Sequence, residues 1–162
     1  MKIFLIVIGV VVALLAIVLI IGAALPKRHT ASRSVVIKRD RASVYRLIRN
    51  VASAPQWRDG VTRVEVLDDR HFREHAKHGV VTYAIDADEE AKRFITRITD
   101  VDLGYGGAWT YDLEDVPDGT RVTITEDGEV SNLMFRFMSR FVFGHTASMD
   151  AYLTALRKTA GS

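Results

Sequence analysis

The sequence contains no cysteine, so it offers no thiolate ligand for a zinc site. This absence leaves the cellular compartment open, because a chain without disulfides can fold on either side of a membrane. The GxSxG elbow of serine hydrolases and the HExxH motif of zinc proteases are also missing. The glycine-rich stretch GYGGAW lacks the lysine and the helix start of a phosphate-binding loop. We interpret it as a turn between strands.

A strong excess of one charge is missing as well. The chain carries 22 basic and 20 acidic side chains, a net charge of +2. Nucleic-acid binding normally needs a clustered basic surface. We therefore expect no nucleic-acid partner.

Residues 3–25, IFLIVIGVVVALLAIVLIIGAAL, contain no charged side chain. At a rise of about 1.5 Å per residue, this run spans roughly 34 Å, which is enough to cross a bilayer core. The apolar core of a signal peptide is only about 7–15 residues long. We therefore predict an uncleaved transmembrane anchor over residues 1–25. A cleaved signal peptide is the alternative, since GAAL offers small residues.

Basic residues follow the apolar run, and they indicate its orientation. The positive-inside rule places such residues on the cytoplasmic side, which predicts a single-pass membrane protein with a cytoplasmic domain. We predict a basic linker over residues 26–32, in contact with anionic lipid headgroups, and a folded domain over residues 33–162. The basic residues that support this orientation are Lys27, Arg28, Arg33, Lys38, Arg39 and Arg41.

The pattern after the linker changes between periods of two and of 3.6 residues. SVVIKR predicts a strand, and Asp40 is placed to cap the helix RASVYRLIRNV. From residue 61 onward, alternating segments separated by turn residues predict an antiparallel meander. Helical periods return over residues 131–143 and 146–159. The sequence thus predicts an α+β domain in which a curved antiparallel sheet of six to seven strands is covered by a long C-terminal helix.

Four stretches resemble the START-like (SRPBCC) superfamily, and within it the polyketide cyclase/dehydrase branch: SAPQWRDGVTRVEVL, GGAWTYDLE, GTRVTITEDGEV and FRFMSRFVFGHTASMDAYLTALRK. The resemblance covers roughly residues 32–160 and excludes the apolar run. It implies the helix-grip fold, with an apolar cavity between the sheet and the C-terminal helix. It implies no single reaction, because relatives include cyclases, lipid and sterol carriers and hormone receptors.

Two carboxylates are candidates for acid–base chemistry inside such a cavity. Glu126 shares the face of Val122 and Ile124 in the alternation of its strand and is our best catalytic candidate. Glu74 either joins it or faces water, since it alternates with Arg73 and His75 in a polar strand. Asp127 and Gly128 either form a hairpin turn or lie in a strand that continues past a kink at Gly128. We predict the continuing strand.

If the strand continues with a bulge at Gly128, Glu126 is expected to pair with an arginine such as Arg93 or Arg97. The segment MFRFMSRFVF allows two placements, either resting on a membrane surface or closing the core. Other predicted cavity-lining residues are aromatic or apolar side chains on the same elements. The full predicted lining consists of Trp57, Tyr83, Trp109, Tyr111, Glu126, Phe137, Met149 and Leu153.

Histidine clustering does not indicate a metal site. His71 and His75 lie about 13 Å apart along a strand, and His78 has the opposite parity. We expect neither a metal ion nor another cofactor.

The predicted function is binding of a hydrophobic small molecule or lipid by a membrane-anchored domain. The first alternative is a cyclase or dehydratase that uses a cavity carboxylate. The second is a membrane-tethered interaction module with no ligand.

Overall fold

Seven strands follow one long helix in a computed structural model that describes residues 1–77, 79–144 and 146–161. The N-terminal helix α1 spans Lys2–Ala24. The strands are β1 (Arg28–Ile37), β2 (Val61–Val66), β3 (His71–Ala76), β4 (Gly79–Glu89), β5 (Arg93–Ile98), β6 (Tyr105–Val116) and β7 (Gly119–Val130). The other helices are α2 (Arg41–Arg49), a 3₁₀ turn (Val51–Ser53), α3 (Ala54–Trp57), α4 (Leu133–Met138), a π-helical turn (Ser139–Phe143) and α5 (Ala147–Ala160).

The strands form one antiparallel sheet in the order β1-β7-β6-β5-β4-β3-β2. The meander from β2 to β7 is sequential, as the alternating pattern predicts, and β1 closes the far edge against β7. Gly119 begins β7 after a two-residue turn and has a φ of 129°, which favours glycine. Seven strands with one covering helix confirm the predicted helix-grip architecture.

The strand β1 starts at Arg28, six residues before the predicted strand SVVIKR begins at Ser34. Residues 28–32 pair with residues 129–125 of β7, so backbone hydrogen bonds hold them in the sheet. Only His29 and Ala31 of this part turn toward the interior. Two such side chains give too weak an alternation to be recognised in the sequence.

The helices α2 and α5 pack on the concave face of the sheet. Asp40 caps α2 as predicted, because its carboxylate accepts a hydrogen bond of 2.9 Å from the Ser43 backbone N–H. Buried side chains of α5 recur at helical spacing and complete the core. These side chains are Met149, Tyr152, Leu153, Leu156 and Ala160.

The end of α1 is fastened to α4 by the buried side chain of Arg136. Its guanidinium donates to the carbonyls of Gly22 and Leu25 at 3.2 Å each. It also donates to the carbonyls of Val130 at 2.8 Å and Ser131 at 3.1 Å. The bonds to Gly22 and Leu25 satisfy carbonyls that the last turn of α1 leaves unpaired.

Candidate functional site

Polar side chains stand on the concave face of the sheet, where a simple core would be apolar. The pairing of β3 with β2 and β4 places Glu74 on the inward side, opposite Val64 and Val81. Glu74 is 8% exposed, and Thr96 on β5 is buried as well. Of the two orientations that the sequence leaves open for Glu74, the structure shows the inward one.

The buried carboxylate of Glu74 forms an ion pair with Arg58, the residue that ends α3. The guanidinium of Arg58 also lies over the ring of Tyr152, 5.1 Å from its centroid. Burial is the largest single effect on the pKa of Arg58 and lowers it, but the charge and hydrogen bond of Glu74 together with Tyr152 and Tyr111 raise the net pKa. Arg58 therefore remains a fixed cation inside the domain.

Four rings, which we name the aromatic cluster, pack against one another between the sheet and α5: Trp57, Trp109, Tyr111 and Tyr152. The Tyr152 centroid lies 5.2 Å from that of Trp57, 5.9 Å from that of Trp109 and 5.4 Å from that of Tyr111. Two of these contacts are edge-to-face, the arrangement that aromatic pairs prefer. The cluster joins α3, β6 and α5 beside the Arg58–Glu74 pair.

The tyrosines near this pair are kept in their neutral form. Burial raises the pKa of Tyr83, Tyr111 and Tyr152, and the nearby negative charge of Glu74 adds to the effect. Arg58 acts in the opposite direction on all three. The surroundings of the Arg58–Glu74 pair thus combine neutral hydroxyl groups with a cation and a carboxylate beside aromatic rings.

Glu126 lies toward the other end of the concave face, and β7 continues through it to Val130. The strand therefore continues past Asp127 and Gly128, as predicted, and the hairpin alternative is wrong. The alternative of a bulge at Gly128 is also wrong, because the pairing of β7 with β1 and with β6 has no register shift there. Gly128 instead leaves room for a neighbouring ring: a Cβ there would collide with the imidazole of His29.

The partners of Glu126 are His29 and Trp109 rather than an arginine. One carboxylate oxygen lies 3.1 Å from His29 Nε2, and the other accepts a hydrogen bond of 2.9 Å from Trp109 Nε1. The two arginines proposed for it pair elsewhere, Arg93 with Asp112 and Arg97 with Asp86. They lie on the outer face of β5, so they cannot reach an inward carboxylate.

The structure distributes the other predicted lining residues over two regions. Met149 and Leu153 of α5 are buried in the core, and Tyr83 stacks on Phe72 at 5.1 Å. Phe137 lies apart from this core, on α4, where its ring contacts Phe141 at 5.0 Å.

The described histidines each have a charged neighbour of their own. His71 lies 2.9 Å from Asp68, and His75 lies 3.3 Å from Glu65. His78 lies outside the described residues. Within residues 1–77, 79–144 and 146–161, no group of three or more histidine or carboxylate side chains is arranged to hold a metal ion.

A surface cleft of about 740 Å³ opens between α2, the 3₁₀ turn and the strands β2 to β4. Tyr45, Phe72 and Ile85 form its buried floor, and Arg49 and Asp88 form an ion pair of 2.6 Å at its wall. Since Phe72 stacks on Tyr83, the cleft ends close to the polar interior.

Three residues of this site are not indicated by the sequence: Arg58, Tyr152 and His29. Arg58 follows a short helix with no strand pattern, and Tyr152 looks like one more core position on α5. His29 falls in a segment that resembles a linker. Only the fold brings them to Glu74, to the aromatic cluster and to Glu126.

The sequence model of the family described as "Polyketide cyclase / dehydrase and lipid transport" matches residues 37–149. No curated protein matches the chain by sequence. Similar solved structures include a START superfamily protein from Mycobacterium smegmatis, with a TM-score of 0.68 and 15% identity over 82% of this chain and 97% of that one.

Two enzymes are also similar in structure. The Zhui aromatase/cyclase from Streptomyces sp. R1128 has a TM-score of 0.66 and 12% identity, covering 83% of this chain and 94% of its own. A Thalictrum flavum norcoclaurine synthase point mutant, in complex with a transition-state analogue, has a TM-score of 0.65 and 10% identity. It covers 82% of this chain and 94% of its own. At these identities the likeness establishes the START-like fold alone.

Proposed function

The chain belongs to the polyketide cyclase/dehydrase and lipid transport family, and from this premise we propose that it binds a hydrophobic small molecule or lipid between its sheet and α5. We further propose that α1 anchors this domain in a membrane. The ligand we expect has an apolar body with one carbonyl, carboxyl or hydroxyl group.

The ion pair between the buried carboxylate of Glu74 and the mostly buried guanidinium of Arg58 is the observation that carries the proposal. A buried ion pair is rarely worth its cost to stability alone, because replacing it with apolar side chains is often neutral or stabilising. Here the cation lies over Tyr152 and beside neutral phenols. Arg58 can donate to a ligand oxygen while the aromatic cluster contacts the apolar body.

Support for the membrane anchor comes from α1. It is long and apolar enough to cross a bilayer, and its 18 most apolar consecutive residues are not buried by the rest of the chain. A signal sequence can also be this long and apolar, so length and composition alone do not distinguish it from an anchor. The bonds from Arg136 to the last turn of α1 favour a retained helix, because the folded domain uses it. The basic residues after α1 favour a cytoplasmic domain.

Native mass spectrometry of the full chain in detergent tests ligand binding, with oleic acid and the anthraquinone emodin as probes. We expect one saturable adduct, weakened about tenfold or more by Arg58→Gln, since a hydrogen bond to a charged group contributes about 1.5–3 kcal/mol. The control is Arg93→Gln, which removes an arginine from an exposed pair with Asp112. Equal, non-saturable uptake by all three proteins would refute the binding site and favour a ligand-free interaction module.

A cyclase- or dehydratase-like reaction is the second candidate. It is supported by two carboxylates and several phenols that face one interior, groups that can exchange protons with a carbonyl substrate. Glu126→Gln keeps the shape of the side chain that contacts His29 and Trp109. For an enzyme using Glu126, this variant should lose turnover of a poly-β-ketone thioester analogue while it still binds emodin. Unchanged turnover would exclude Glu126 as the catalytic residue.

A further inference from the structure

A second pocket, of about 400 Å³, lies where α1 meets the domain. It is enclosed by the end of α1, the first residues of β1, the end of β7 and the α4 segment with its π-helical turn. Its walls combine three apolar residues with basic and polar side chains. The lining residues are Leu25, Pro26, Arg28, His29, Val130, Arg136, Ser139 and Arg140.

The charge of this pocket, which we name the junction pocket, is positive. Arg136 is buried, and its four hydrogen bonds all go to backbone carbonyls. None of these bonds is to a carboxylate that would neutralise its charge. Arg28 is 85% exposed and forms one long ion pair of 3.4 Å with Glu129. Arg140 is exposed, and it takes part in none of the ion pairs found among the described residues. In that part of the chain, no acidic residue lines the pocket.

Exposed apolar side chains lie on the same helical segment as the pocket residues Arg136 and Arg140. Phe135 is 47% exposed, Phe141 60% and Val142 58%. They belong to the helical segment that Arg136 fastens to the end of α1. If α1 spans a bilayer, this segment lies at its surface, where aromatic side chains and arginines are favoured.

We propose that the junction pocket binds the phosphate group of a membrane phospholipid with net negative charge, with Arg28 and Arg140 as its main contacts. The inference rests on the proposed membrane anchoring by α1. The apolar walls beside the arginines fit the glycerol and upper acyl carbons of a lipid. Inorganic phosphate has no apolar part that could contact these walls. Arginine is suited to the task because its planar guanidinium binds phosphate oxygens in pairs.

A chain of contacts leads from this pocket to the interior. His29 lines the pocket and contacts Glu126, whose other oxygen accepts from Trp109 of the aromatic cluster. A lipid held in the junction pocket would therefore lie beside the end of the concave face that carries Glu126. This arrangement fits a domain that takes its ligand from, or delivers it to, the membrane in which it is anchored.

The test uses the full chain in nanodiscs and in detergent. Flotation with vesicles first establishes anchoring, so that failure of the proposed anchor is recognised separately. Native mass spectrometry then counts lipids retained from an equal mixture of phosphatidylglycerol and phosphatidylcholine. We expect the original chain to retain one phosphatidylglycerol molecule. Either Arg28→Gln or Arg140→Gln should reduce this retention about fivefold, because a single basic residue contributes about 1 kcal/mol to the binding of anionic lipid.

Arg157→Gln is the matched control, because it removes the same charge from an exposed position in the last turn of α5, outside the pocket lining. Both pocket variants alter exposed side chains and should leave the unfolding midpoint unchanged. A floating protein that retains both lipids equally, or whose retention is unaffected by both pocket variants, would overturn the proposal. Displacement of the lipid by millimolar inorganic phosphate would also overturn it, in favour of a soluble phosphate ligand.

Discussion

Replacing both members of the Arg58–Glu74 pair should cost almost no stability but should abolish ligand binding. The perturbation is a double-mutant cycle of Arg58→Met, Glu74→Leu and the two together. Each replacement is apolar and of similar volume to the residue it replaces. If the pair is present for binding rather than for stability, the double variant should fold as well as the original chain.

The expected magnitudes follow from the burial of each partner. Arg58→Met leaves the Glu74 side chain, which is 10% exposed, without its cation, and this should cost about 3–4 kcal/mol. Glu74→Leu leaves Arg58, which is 25% exposed and still lies over Tyr152, so its cost should be smaller, about 1–3 kcal/mol. The double variant should lie within about 1 kcal/mol of the original chain, because neither charge is left uncompensated.

Urea unfolding of the full chain in micelles, followed by tryptophan emission, measures these values. Both tryptophans of the sequence belong to the aromatic cluster, so the signal reports on the site itself. A loss of about 3 kcal/mol lowers the midpoint by about 1–2 M urea for a domain of this size.

The matched control is the same cycle on Arg93 and Asp112, whose side chains are 44% and 34% exposed. An exposed pair of this kind should couple by less than about 1 kcal/mol. The reasoning would be refuted if the Arg58–Glu74 cycle gave an equally small coupling, or if the double variant were as unstable as the sum of its parts.

Three further outcomes follow from the structure. The folded-state pKa values of Tyr111 and Tyr152 are raised by burial. Their contribution to the free energy of unfolding is therefore complete below pH 10 and is lost as the pH rises toward the folded-state pKa values. Above pH 10, the free energy of unfolding should fall by about 1.4 kcal/mol per pH unit for each of these tyrosines. In urea titrations at alkaline pH, Tyr152→Phe should make this slope shallower. An unchanged slope would argue against burial of the Tyr152 phenol. Gly128→Ala should destabilise the domain by about 1–3 kcal/mol, because its methyl group meets the ring of His29, whereas Gly106→Ala meets no atom within 4 Å and serves as the control. Equal thermal stability of the two glycine variants would contradict the close packing at His29. A phosphatase fused to the carboxyl terminus should be inactive if the domain is cytoplasmic, and an active fusion would reverse the proposed orientation.

The sheet and the covering helix could be predicted because their signals are local. Alternation along β7 identifies Val122 and Ile124 as buried, and the spacing of Met149, Leu153 and Leu156 identifies the inner face of α5. These patterns need no knowledge of distant residues.

The site itself depends on contacts between distant parts of the chain. Glu74 alternates with Arg73 and His75 in a strand with little apolar pattern, and its burial and its pairing with β2 and β4 show which way it points. Its partner Arg58 is 16 residues away. The contact between His29 and Glu126 spans 97 residues and depends on a strand end with little apolar pattern. No local period can indicate such pairs.

The central claim is that a ligand binds between the sheet and α5, against the Arg58–Glu74 pair. The most direct measurement is two-dimensional NMR of the full chain labelled with ¹⁵N-tryptophan, which gives one indole signal for Trp57 and one for Trp109. The account predicts that both signals shift saturably with emodin, and that neither shifts in the Arg58→Met/Glu74→Leu variant. Emodin binding that leaves both indole signals unmoved, or that moves them equally in the double variant, would contradict it.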